Sequence, residues 1–149
     1  MMKKQFILFL LVSTAAFAGT PPAQTEQPAI PNIEHIQYWM KTLETHPLVI
    51  IRKQAARQLG NMQNSIAVPS LIKGLTDVND DVRMQSAYSL GRLGDPGALK
   101  PLYELIEKNS NSQVQAAARN AIDKINAHEE FNRQRKQKLK DLDKNSTTN

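Results

Sequence analysis

From residue 33 onward, apolar residues recur three and four positions apart, the spacing of one face of an α-helix. Ile33, Ile36, Met40 and Leu43 make the first such stripe, with Asn32 in front of it as an N-cap. "THP" at Thr45–Pro47 stops it, because the residue before a proline avoids helical angles. A second stripe carries Ile51, Ala55, Ala56, Leu59 and Met62. A third helix is predicted over Ser65–Thr76, with Val68, Leu71, Ile72 and Leu75 inward. After the turn "DVNDD", a fourth runs from Asp81 to about Gly94 and turns Val82, Ser86, Ala87, Leu90 and Leu93 inward. "DPGA" opens a fifth at Asp95, with Leu99, Leu102, Tyr103 and Ile106 inward. "NSNS" leads into the last, with Val114, Ala118, Ile122 and Ile125 inward. No stretch alternates with the period of a strand. The pattern predicts an all-α chain of six helices in three pairs.

The pairs are copies. "IRKQAARQLGNMQN" at Ile51–Asn64 returns 31 residues later as "VRMQSAYSLGRLGD" at Val82–Asp95. A period of this length means stacked helical hairpins. A single hairpin cannot bury its apolar face alone; neighbours in a stack bury it for one another and build one continuous core. Small residues at Ala55, Ala56, Ala87, Ala117 and Ala118 let helices approach closely. Gly60, Gly91 and Gly94 end helices or admit close backbone contact.

The first residues belong to something else. Lys3 and Lys4 precede a mostly apolar run, Phe6–Phe17, and the small-x-small site Ala16-Phe17-Ala18. That is the layout of a secretory signal peptide over 1–18. The run is shorter than the roughly 20 residues of a membrane span. Residues 19–31 hold Pro21, Pro22, Pro28 and Pro31 without an apolar period, which reads as an extended linker. The repeat domain occupies 32–127 and a basic helical extension 128–149, with "DKNSTTN" as a disordered end. The expected location is outside the cytoplasm, in the periplasm of a two-membrane bacterium or secreted from another.

Charge and composition narrow the chemistry. Without the two leading lysines, seventeen basic and fourteen acidic residues remain, a net charge of only +3. That mild excess, together with export, speaks against nucleic acid as a partner. There is no cysteine, hence no disulfide, thiol nucleophile or thiolate metal site. No serine sits in a nucleophile elbow and no glycine-rich loop opens a helix in the phosphate-binding manner.

The central unit, "AVPSLIKGLTDVNDDVRMQSAYSLGRLGD" at Ala67–Asp95, resembles HEAT repeats, in particular the short subtype named after phycobilisome lyases. The resemblance rests on Pro69, Asp77, Val82-Arg83 and the closing "LGRLGD", and extends from Asn32 to about Ala127. The first unit keeps Ile51-Arg52 and Leu59-Gly60 but has His46 where Asp77 would fall. The third has Gln115 for the arginine, Arg119 for the second alanine and Asp123 for the glycine. The resemblance implies a short α-solenoid of three HEAT-like helical hairpins, with the second helix of each lining a concave side. It also implies that Asp77 and Arg83 pair across the turn as a structural support. Some HEAT-like hydroxylases hold two irons with several His-Glu pairs. This chain has one such pair, His128-Glu129, too few ligands for a metal. Pigment attachment by the lyases relies on larger proteins, so three repeats do not carry it over. No catalytic residue and no cofactor are expected.

Helical geometry then selects the open face. On the second helices it holds Lys53, Arg57, Gly60 and Asn61; Met84, Tyr88, Gly91 and Arg92; and Ala116, Asn120, Asp123 and Lys124. Stacking aligns Arg57, Tyr88 and Asn120 in one ridge and Asn61, Arg92 and Lys124 in another. Tyrosine and arginine are typical interface anchors. The candidate contacts for a protein or peptide partner are therefore Arg57, Tyr88 and Arg92, with Lys53 and Lys124 at the rim. The plainer alternative is a solvated helix face. The tail contributes six basic residues and only Phe131, Leu139 and Leu142 as apolar ones. Residues 129–144 thus read either as a frayed cap or as a docking helix for an acidic partner or anionic membrane surface. Two further function readings follow: an accessory subunit of a larger enzyme, and an envelope-surface binder acting through this tail.

Overall fold

The computed structural model describes residues 33–146. The expected signal peptide, the linker and the Asn32 cap lie outside the described residues, as do the last three positions. Six helices follow in order: α1 (Ile33–Thr45), α2 (Val49–Asn61), α3 (Val68–Gly74), α4 (Asp80–Leu93), α5 (Leu99–Lys108) and α6 (Ser112–Ser146). Among the described residues there is no strand. The three pairs are α1/α2, α3/α4 and α5/α6. The second helices α2, α4 and α6 pack side by side in one layer, and α1 and α3 lie against each other in the other. The fold is the all-α, short helical solenoid expected from the repeat.

Local chemistry explains the helix ends. The Asn79 side chain accepts from the Asp81 backbone N–H at 2.9 Å and starts α4. Asp80 and Asp81 in its first turn, and Arg92 in its last, suit the helix dipole. Gly94 stops it in the left-handed region at φ 67°, where a side chain would be strained. Single turns of 3₁₀ helix precede α3 (Ser65–Ala67) and α5 (Pro96–Ala98), each started by a side chain, Asn64 or Asp95. The stretch expected as one helix over Ser65–Thr76 is thus a 3₁₀ turn leading into a shorter α-helix.

The core is continuous along the stack. Ile36, Leu59, Leu71, Val82, Leu90, Leu102, Val114 and Ile125 are fully buried. The alanines expected at close contacts, Ala55, Ala56, Ala87, Ala117 and Ala118, are also fully buried. Two positions differ from the expected inward faces. Tyr103 is 52% exposed and Ile33 51% exposed; Leu105, one turn away from Leu102 on α5, takes the inward place instead. Among the described residues, the helices of the two outer units have no further neighbour on that flank, and a residue at the edge of the stripe is exposed.

Candidate interaction surface and the junctions behind it

The second-helix layer presents the predicted polar face. Arg57, Asn61, Arg92, Asn120, Asp123 and Lys124 are exposed, and Tyr88 is 42% exposed near its middle. Arg92 donates to the Asn61 side chain across the α2–α4 boundary, so these two members of one predicted ridge do meet. Lys53 is half-buried and pairs with Asp81 of α4 at 3.1 Å. Its ammonium is therefore shared with a neighbour. Gly60 and Gly91 are not on this face. A Cβ on Gly60 would sit 2.7 Å from the Ser89 Cβ, and one on Gly91 would sit 2.8 Å from the Ala121 Cα. These glycines are buried where each second helix touches the next. The simple helical wheel put them outside because it treats each helix as alone.

Behind this face, the turn inside each pair is built the same way three times. The side chains of His46, Asp77 and Asn109 each accept from the backbone N–H two residues on, at 3.2, 2.9 and 2.9 Å. The following helix then sends a long side chain back to the turn. Arg52 donates through Nη1 to the His46 carbonyl at 2.9 Å, Arg83 donates to the Asp77 carbonyl, and Gln115 donates to the Asn109 carbonyl at 2.7 Å. Arg83 therefore does support its turn, but through the backbone. The expected Asp77–Arg83 carboxylate pair is not the one formed. The Asp77 carboxylate accepts two bonds from Arg52 of the preceding unit, Nε to Oδ2 at 2.7 Å and Nη2 to Oδ1 at 2.8 Å. Both side chains are about nine-tenths buried. Arg83 turns Nη2 to Asp80 on its own helix.

Burial by itself pushes the Asp77 carboxyl up. The Arg52 hydrogen bonds, the Asn79 N–H and the charges of Arg52 and Arg83 outweigh it, and the group ends below its ordinary value. Hydrogen bonding to Asp77 raises Arg52 in turn, against desolvation. A second clasp lies beside the first. Glu44 accepts from the Ser70 hydroxyl at 2.9 Å and from the Lys73 ammonium at 3.1 Å. The Ser70 bond is the main reason that its carboxyl is lowered.

Sequence reasoning missed Arg52 as a clasp. The signal was present: Arg52 stands at the position of Arg83 one unit earlier, and Asp77 at the position of Asn109. What was missing was the stagger that carries an arginine past its own turn to the next.

The predicted boundary at 127/128 falls inside α6, which runs unbroken to Ser146. His128 packs on Gly94. From Arg133 to Lys144 every residue is exposed, and Phe131, Leu139 and Leu142 are each about 60% exposed. No helix of the described residues is long and apolar enough to cross a membrane.

Comparison with known proteins agrees with this architecture. The family described as HEAT repeats matches residues 36–123. Bilin biosynthesis protein PecE of Nostoc sp. is 38% identical over 68 residues, which is 44% of this chain and 26% of that protein. The protein of the same name from Mastigocladus laminosus is 35% identical over 68 residues, 44% of this chain and 25% of that one. The chain thus spans about a quarter of the length of the curated relatives it matches.

Proposed function

Because the chain belongs to the HEAT-repeat family, we propose that it works as a non-enzymatic interaction module, displaying the second-helix face to a protein or peptide partner outside the cytoplasm. The observation that carries this reading is Tyr88. It stands exposed on the middle helix of the layer, with Arg57 on α2 and Arg92 one turn on along α4. Lys124 takes the corresponding edge on α6, and Lys53 closes the other side with its charge tied to Asp81. A large half-exposed aromatic beside guanidinium groups is the usual make-up of an interface anchor. Mechanistically, the stack fixes the spacing of these groups before the partner arrives, so little ordering is lost on binding.

Site-specific photo-crosslinking in the native cell tests it, with the crosslinker at position 88 and, as a control in the other layer, at position 103. A single dominant adduct from 88 and none from 103 is the expected result. Adducts from 103 alone, or none from either in folded protein, would overturn it. Export is tested by the N-terminus of the protein recovered from cells, expected at Gly19.

The likeness to the bilin biosynthesis proteins favours a second reading, in which the module serves as the accessory subunit of a larger enzyme. In that case the adduct from position 88 is itself an enzyme chain. The third reading, an envelope-surface binder, places the contact on the exposed stretch of α6 and predicts adducts from position 139 instead.

A further inference from the structure

The two junctions of the stack open at the same edge into clefts of nearly equal size, about 530 Å³ between the first and second units and about 510 Å³ between the second and third. Their linings differ. At the first, the arginine of the second helix, Arg52, spends Nε and Nη2 on the carboxylate of the next turn. At the second, the same role falls to Arg83, and the next turn offers Asn109, a neutral amide. Its oxygen accepts from the Asn111 backbone N–H at 2.9 Å, as Asp77 accepts from Asn79, but it has no charge and no second oxygen to hold an arginine at two points. The Arg83 Nε is buried and has no hydrogen-bond partner. A buried donor left unmade is unfavourable, and one on a charged group more so.

The rest of the cleft fits an acidic residue with an aliphatic neighbour. Ile72, Leu75, Pro101 and Leu105 form apolar walls, and Lys108 stands at the rim. Glu104, the one acidic side chain lining it besides Asp77, is paired with Lys108 at 3.1 Å. Asp77 is committed to Arg52. The walls also differ from the first junction, where Glu44 bridges to Ser70 and Lys73. One unit further on, the same three positions are Leu75, Pro101 and Glu104, so no clasp closes the opening.

We infer that the cleft between the second and third units is a binding site for a carboxylate side chain of a partner peptide, which meets Arg83 at Nε, the nitrogen left over once Nη1 holds the Asp77 carbonyl and Nη2 holds Asp80. Charge complementarity selects the occupant: the chain itself shows, one unit away, which group this arginine position takes. The site lies at the turn edge and does not use Tyr88.

The test follows the Arg83 Nε–Hε resonance of the full chain by NMR. The probe is the blocked tripeptide acetyl-Leu-Glu-Leu-amide, with its glutamine counterpart and inorganic phosphate as controls. A saturable shift at Arg83 with the glutamate peptide is expected, with none from the glutamine peptide and none at Arg52. Arg83→Lys keeps the charge but lacks Nε, and Asn109→Asp places a tethered carboxylate beside the site. Each is expected to weaken binding about tenfold or more. Tyr88→Ala is expected to leave it unchanged, which separates this site from the second-helix face. An equal response to the glutamine peptide or to phosphate, no shift at Arg83, or undiminished binding in the folded variants would overturn the proposal.

Discussion

Between the first and second units, the contact is laced with charge. Arg52 and Asp77 form a two-point buried pair, Glu44 reaches Ser70 and Lys73, and Lys53 meets Asp81. Between the second and third units the helices meet in the same way, glycine against a small residue, yet among the described residues no ion pair like these crosses the junction. What bridges that junction is a neutral amide, Asn111, donating to Asp80 at 2.7 Å. One architecture therefore supports two different chemistries. The close glycine contacts repeat because they set how near two helices stand. The clasp is free to change because the helix contact does not depend on it.

The largest expected difference between the junctions is at their arginines. Arg52→Ala strands a buried carboxylate and should destabilise the chain by about 3–5 kcal/mol. Arg83→Ala removes hydrogen bonds but also an unpartnered buried donor, so its loss should be only about 1 kcal/mol. Urea unfolding of both variants checks this, and equal losses would mean that the two junctions are not chemically distinct. Next come the contacts they share. Gly60→Ala and Gly91→Ala each force a Cβ into the neighbouring helix, and should lose about 1–3 kcal/mol apiece. A variant that lost nothing would show that its junction is looser than its partner.

The smallest and most selective effect is that of acid. Asp77 and Glu44 both titrate below their ordinary values in the folded chain. Groups of this kind add stability above their unfolded pKa values, about 3.9–4.3, and lose it as pH falls through the lower folded values. Stability should therefore fall below about pH 4. Asp77→Asn should be less stable at neutral pH but flatter across that acid range. Urea midpoints at successive pH values decide it; parallel curves for the two proteins would remove Asp77 from the account.

Residue by residue, the fold was more legible than the site. Ile36, Leu59, Leu71, Val82, Leu90, Leu102, Val114 and Ile125 announced helices and inward faces through a period that depends only on local geometry. Gly94 marked the end of α4 through its backbone preference, whereas Asn79, read only as part of a turn, proved to cap its start. The glycine and alanine positions told that helices come close, because a missing side chain is visible in any sequence.

Which helix comes close to which was decided by the tertiary structure. It buried Gly60 and Gly91 between second helices, left Tyr103 and Ile33 exposed among the described residues of the outer units, and gave the Asp77 carboxylate to Arg52 while Arg83 holds the Asp77 carbonyl. The physical reason is common to all three. A periodic pattern states what each unit needs, but hydrogen bonds and close contacts between units depend on their stagger, and the stagger exists only once the units are stacked.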